Sequence, residues 1–226
     1  MARSVIVTGG FGVLGQAVSE AFAAQDDKIT RIDFAPNAAT SLANALDIGG
    51  VDLTDHAATQ AALNKVVSAH GGIDVLVNVA GGFTWETLSD GKLESWARMQ
   101  SMNLMTAATI TQLVLPHLTK AREGRIVNIG AGAAVKAGMG MGAYAASKAG
   151  VHRLTEALAE ELAGTGVTVN AILPSIIDTP TNRADMPGED FSKWVQPTAI
   201  AEVILFLASP AARAVTGALI PVTRGD

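Results

Sequence analysis

The chain has no cysteine, so neither a disulfide framework nor a thiolate metal site can stabilise it. Its four histidines, His56, His70, His117 and His152, show no ligand-type spacing, and no metal site is expected. No run of Lys and Arg occurs, and a formal net charge of -5 counts against a nucleic-acid surface. No uncharged apolar run approaches the roughly 20 residues of a membrane span. Residues 1–4 lead into a strand pattern without the apolar core of a signal segment. These absences predict a cytoplasmic protein with small molecules as partners, no nucleic acid and no membrane. Linkers, repeats and low-complexity tracts are also missing, so residues 1–226 are expected to form one domain. At 49% hydrophobic and 16% charged, the chain carries enough apolar material for one well-filled core.

What is present is an alternation of two periodicities. Short apolar, β-branched runs predict strands at residues 4–8, 28–33, 75–79, 125–129, 168–173 and 218–222, with a weaker one at 47–53. Between them, helical patterns cover residues 16–24, 37–46, 56–70, 95–118 in one piece or two, 144–163 and 197–208. Strands alternating with helices predict an α/β protein: a doubly wound parallel seven-stranded sheet with helices on both faces, in a single-domain Rossmann fold. Ligands of such sheets lie beyond the carboxyl ends of the strands.

The first strand runs into Gly9, Gly10, Phe11, Gly12, Val13, Leu14 and Gly15, and a helix follows. That setting suits a pyrophosphate: glycines permit the tight turn and the close approach, and the helix N-terminus supplies N–H groups and positive potential. The second strand ends in Asp33, roughly 18 positions beyond Gly15 and near the ~20 expected for the acid that bonds the adenosine ribose. A carboxylate there repels a 2′-phosphate, so NAD(H) is the preferred cofactor; Arg31, on the same face two residues earlier, keeps NADP(H) possible. Asp52, with Leu53, is placed where the adenine edge would lie.

Tyr144 and Lys148 share one face of a predicted helix, one turn apart. A fixed ammonium beside a phenol stabilises the phenolate, so Lys148 is expected to lower the pKa of Tyr144 from about 10 and let it shuttle a proton. Asn103 lies in an apolar helix and, as a buried amide, must bend that helix or join a polar relay. Trp85 is expected in the pocket from the loop at residues 83–92. Residues 130–142 are almost entirely Gly, Ala and Met, a segment able to pack on a flat ring, with Met139 and Met141 as further lining. A polar loop at residues 181–195 carries Phe191 and Trp194, and Trp194 is likewise placed in the pocket.

Taken together, these motifs resemble the short-chain dehydrogenase/reductase superfamily, nearly end to end. Thr8 to Gly15 is similar to its cofactor turn, Asn78-Val79-Ala80-Gly81 to its Asn-Asn-Ala-Gly strand end, and Tyr144 with Lys148 to its catalytic pair. The resemblance implies that Tyr144 is the proton donor and that Lys148 bonds the nicotinamide ribose. It also implies that Asn103 holds a water against the lysine. Asn78, Ala80 and Gly81 would border the cofactor, and Pro174, Ile177 and Thr179 would contact the nicotinamide. The family's four-helix interface implies a homodimer or homotetramer through helices 104–118 and 144–163. One departure stands out: thirteen positions before Tyr144, where most members carry a serine, stands Ala131. Dihydropteridine reductases also work without that serine, and Asp178-Thr179-Pro180-x-Asn182-Arg183 through Phe191 and Trp194 resembles their substrate loop. Hydride transfer to a quinonoid dihydropterin is therefore the expected reaction. The alternatives are a generic carbonyl or 3-oxoacyl reductase and a catalytically idle NAD-binding regulator.

Overall fold

The computed structural model describes residues 2–121 and 123–224. Seven parallel strands form one sheet: β1 (Ser4–Thr8), β2 (Lys28–Ile32), β3 (Leu46–Ile48), β4 (Val75–Asn78), β5 (Arg125–Ile129), β6 (Thr168–Pro174) and β7 (Leu219–Val222). Every residue of β1, β4, β5 and β6 is buried, which is why these runs are mostly apolar on both faces instead of alternating, with a few paired polar residues such as Asn78 and Asn128 among them. The helices are α1 (Val13–Ala23), α2 (His56–His70), α3 (Leu93–Met99), α4 (Thr106–Leu118), α5 (Gly142–Glu161), α6 (Pro180–Asp185) and α7 (Pro197–Leu207). Phe22 and Val18 of α1 join Ile200 and Ile204 of α7 in the core on one face. Leu63 of α2, Ile110 of α4 and Leu158 of α5 fill the other.

The strand order is β3-β2-β1-β4-β5-β6-β7. The chain winds outward from β1 to β3, then returns to place β4 on the other side of β1. Thr8 pairs with Ile32 on one side and with Asn78 on the other. This reversal opens a crevice above the carboxyl end of β1, where a ligand can enter between diverging connections. Local chemistry marks the ends of the elements. The Asp55 carboxylate caps α2 by accepting from the N–H groups of Ala57 and Ala58, at 2.8 and 3.1 Å, and Gly71 closes that helix at φ +88°.

The structure corrects two expectations. Residues 37–46 form no helix: the carbonyl of Thr40 accepts from Nη2 of Arg31 at 3.0 Å, a tertiary bond in place of a helical one. The third strand is only Leu46–Ile48, because Gly49 and Gly50 turn the chain directly after it. The helix at 95–118 does divide, and its two pieces are joined by a π-helical turn, Gln100–Met105, that contains Asn103. Among the described residues, no helix is long and apolar enough to cross a membrane.

Candidate active site

A cleft of about 990 Å³ opens over the carboxyl ends of the central strands. At one end is the glycine turn. Gly9 adopts φ +61°, and a Cβ there would stand 2.9 Å from Cα of Ala80, so the turn is pressed against the segment after β4. A Cβ on Gly15 would strike the Gly9 carbonyl oxygen, and this close approach seats α1 under the turn. Gly12 differs, since a Cβ there would meet only the Gly9 oxygen at 3.5 Å. Packing does not demand a glycine at position 12, but an incoming diphosphate at the start of α1 does, and the residues present fit a dinucleotide. Gly9, Phe11, Gly12, Val13, Leu14 and Gly15 line the cleft, whereas Gly10 lies underneath, packed on Arg31.

Asp33, Asp52 and Leu53 also line this end. Asp33 accepts from the N–H groups of Phe11 and Ala35, both at 2.9 Å, which fixes its carboxylate at the tip of β2. The Asp52 carboxylate accepts from the hydroxyl and N–H of Thr54, and these bonds hold its pKa low. Arg31 is fully buried, with Nε and Nη2 donating to the Asp47 carboxylate at 2.7 and 2.6 Å. Nη1 donates to the Gln16 side chain and Nη2 also to the Thr40 carbonyl, so four hydrogen bonds hold this guanidinium inside the fold, away from a ligand.

Tyr144 and Lys148 line the other end, under the same roof as Ile177 and Thr179. The Phe83 ring stands edge-on to Tyr144, with centroids 5.0 Å apart at 81°. Nζ of Lys148 donates to the Ile129 carbonyl at 2.7 Å. Burial, not Lys148, sets the phenol in this state: it pushes the Tyr144 pKa up to about 12 and the Lys148 pKa down to about 8. Loss of solvent raises the cost of each charged form, and the ammonium spends its hydrogen bond on a backbone carbonyl. Tyr144 is therefore held as the neutral phenol, which is the state a proton donor needs.

Asn103 acts through the backbone beside this pair. Its Oδ1 accepts from the Gly82 N–H at 2.9 Å while Nδ2 donates to the Gly82 carbonyl at 3.1 Å and to Oγ of Ser147 at 2.9 Å. A Cβ on Gly81 would stand 2.5 Å from Oδ1 of Asn103 and 3.4 Å from Nζ of Lys148, so this glycine is what lets the three approach. Ala80 and Gly81 line the cleft. Asn78 does not; it is buried, donating from Nδ2 to Thr111 and Asn128, and it ties β4 to α4 and β5. Thr8 performs the related task at the end of β1, its hydroxyl oxygen accepting from the N–H groups of Val79 and Ala80.

The expected substrate-pocket residues are corrected more heavily. Trp194 is 3% exposed and packs on Phe191 inside the loop. Met139 is 79% exposed, and Trp85 lies against Gly140 outside the cleft wall. Ala131 is buried behind that wall, and Pro174 ends β6 without reaching the lining. The Asp178-to-Trp194 motif is divided: Thr179 and Asn182 line the cleft, whereas Asp178, Arg183, Phe191 and Trp194 brace the loop. Arg183 donates twice to the Asp178 carboxylate, at 2.6 and 2.7 Å, stacks over Phe191 at 4.8 Å, and holds the Asp178 pKa down at about 2, assisted by Gln196. The cleft is instead lined by Gly82, Phe83, Arg98, Ser101, Met102 and Thr106, with Thr181 and Asn182 from α6. Ser101, Met102 and Thr106 escaped the sequence reading because the π-helical turn shifts the helical register on which periodicity depends.

Comparison with known proteins places this geometry. The short chain dehydrogenase family matches residues 3–190. The chain belongs to that family. A 3-oxoacyl-(acyl-carrier-protein) reductase from Thermotoga maritima is 34% identical over 97% of this chain and 96% of its own length. A meso-2,3-butanediol dehydrogenase from Serratia marcescens is 30% identical over 99% and 94%. The structure of a 3-ketoacyl-(acyl-carrier-protein) reductase from Brucella melitensis complexed with NADH superposes with a TM-score of 0.87 at 26% identity, covering 97% of this chain and 96% of that one. These relatives correct the branch suggested by the loop motif: they support an oxidoreductase similar to 3-oxoacyl reductases and do not single out dihydropteridine reductases.

Proposed function

We propose that this short-chain dehydrogenase reduces the carbonyl group of a small-molecule substrate at the expense of NADH. The observation that carries the reading is that Tyr144 and Lys148 stand in the wall of the same cleft whose far end is the glycine turn and Asp33. Reduced nicotinamide supplies the hydride. Tyr144, kept neutral by burial, gives its proton to the carbonyl oxygen. Lys148, as an ammonium, makes the departing phenolate less costly. Asn103 keeps the Gly82 backbone in place beside them, and the π-helical turn that carries it sets its reach.

NAD(H) is preferred because a 2′-phosphate would meet the Asp33 carboxylate with no cation to answer it, Arg31 being committed to Asp47. NADP(H) remains a weaker second cofactor. Self-association uses the half-buried apolar positions of α4 and α5, among them Leu113, Ala149 and Leu154. One specific observation favours a second reading. Ala131 offers no hydroxyl to polarise a carbonyl, and one such donor is worth roughly 10²–10³ in rate. An electron-poor conjugated substrate such as a quinonoid dihydropterin accepts hydride without it.

The test is a substrate panel with NADH and NADPH in parallel: 3-oxoacyl thioesters, vicinal diketones, aliphatic ketones and a quinonoid dihydropterin. The proposal expects NADH oxidation with an activated carbonyl compound. Turnover confined to the pterin would replace it by the second reading, and no turnover on any member would overturn both.

A further inference from the structure

The helix that carries Tyr144 and Lys148 has a third residue on the same face, His152, one more turn along. It is 2% exposed and contributes nothing to the cleft lining. Its Nε2 accepts the backbone N–H of Ala131 at 3.3 Å. The ring also fills the space where a side chain at position 130 would go: a Cβ on Gly130 would stand 2.5 Å from Nε2 and 2.8 Å from Cδ2. α5 therefore grips the end of β5 at three successive places. Thr155 accepts from Nδ2 of Asn128, Lys148 donates to the Ile129 carbonyl, and His152 receives from Ala131. The last contact falls on Ala131, where the resemblance implies a serine, at the point where the chain leaves the sheet between two lining residues of the cleft, Ile129 and Tyr144.

We propose that His152 is a positioning residue for the reduction, its unprotonated Nε2 fixing the 130–131 backbone at a set depth against the helix of Tyr144. The inference rests on the carbonyl-reductase reading for its kinetic consequence only; the contact itself is a property of the fold. To accept from an N–H group, Nε2 must be bare, so the ring carries its proton on Nδ1. Protonation would set two donors face to face and place a second cation one turn from Lys148. The charged groups around the ring are Arg153 and Lys148, which oppose its protonation, and Glu156, which favours it, all on α5. Burial together with the two cations pushes the imidazole pKa below its ordinary value, which keeps the acceptor bare at neutral pH. Acid should then loosen the 130–131 backbone behind the cleft before it unfolds the protein.

Two measurements decide this. In histidine ring nitrogen spectra of the full chain at pH 7.5, His152 should show the Nδ1–H tautomer; an Nε2–H tautomer overturns the proposal whatever the enzyme turns over. In kinetics, kcat/KM of the wild type should fall in acid on a limb below the free-histidine value of about 6.5. His152→Asn, which keeps an acceptor but does not titrate, should hold kcat/KM within about fivefold at neutral pH and abolish that limb. His152→Leu should lose about tenfold or more in kcat with KM for NADH unchanged. An Asn variant with the same acid limb as the wild type overturns the kinetic claim. If no carbonyl compound is reduced by any variant, the functional reading fails, and the tautomer alone still settles the contact.

Discussion

The two ends of the cleft are built from different materials. At the glycine end the ligand wall is backbone, shaped by the missing side chains of Gly9, Gly12 and Gly15 and finished by one carboxylate at a strand tip. At the phenol end it is side chain, assembled from α5, the segment after β4, the π-helical turn and α6. A backbone site needs a fixed spacing along one stretch of chain, so its grammar is local. A side-chain site depends on which distant residues the fold brings together. The first end therefore follows from one short stretch of chain, and the second from the packing of several elements.

The sharpest way to break that contrast is at Tyr144. Tyr144→Phe removes only the hydroxyl and leaves the ring against Phe83. Turnover is expected to fall by about 10³-fold or more, since a positioned proton donor is worth roughly 10²–10⁴. NADH binding, followed by fluorescence, should change by less than about threefold because the glycine end is untouched. A variant that loses both together would mean that the two ends are not separable; one that loses neither would remove Tyr144 from the mechanism.

The next effect tests what the phenol end lacks. Ala131→Ser restores a hydroxyl at the position where the family commonly carries one, at a site already buried behind the cleft wall. If the remaining geometry matches the family's, reduction of plain ketones should rise by about 10- to 10²-fold, part of what one donor supplies. The measurement is kcat/KM on an aliphatic ketone beside an activated one, and the gain should favour the former. Equal or absent gain would show that His152 holds the 130–131 backbone too far back for a hydroxyl to reach.

How far the chain could be read in advance follows the same division. The strand runs, their parallel sense, the glycine turn and the presence of Asp33, Tyr144 and Lys148 at one sheet edge are all legible, because each is a local pattern with a local physical cause. Trp194 and Met139 were misplaced because an aromatic in a polar loop can equally face a ligand or brace the loop, and only the Arg183–Phe191–Trp194 stack decides between these. The helix expected at 37–46 gives way to a bond from Arg31, a donor on β2 that lies outside the expected helix and that helical periodicity does not weigh. The direction of the Tyr144 pKa was missed for a related reason. Spacing places an amine near a phenol but says nothing about how much water reaches either.

That desolvation gives the next prediction. Lys148 assists the phenol only as an ammonium, and burial brings its pKa down to about 8. The charged form dominates below that value and is lost above it, while Tyr144, at about 12, stays protonated throughout. The reductive kcat should therefore hold steady as pH approaches about 8 from below and then fall by about tenfold per pH unit beyond it. A reductive rate that is flat through pH 9.5 would mean that bound cofactor restores the lysine pKa or that the ammonium is not needed.

The smallest expected change lies at the glycine end and concerns the choice of cofactor. Asp33→Asn removes the charge that repels a 2′-phosphate while keeping one oxygen to accept from Phe11 or Ala35. NADH should bind about tenfold more weakly for the loss of a charge-assisted bond to the ribose, worth roughly 1.5–3 kcal/mol at most. NADPH should improve by no more than a few fold, because removing a repulsion does not supply an attraction. The nearest guanidinium, Arg31, is held by both oxygens of Asp47, and releasing it would leave Asp47 and Gln16 unpaired and strip the support beneath Gly10. Comparing the two cofactors' KM values in the variant reads this directly. A gain above about 30-fold for NADPH would show that Arg31 can swing out after all, and the glycine end would then have to count a cation beside Asp33 among its working parts.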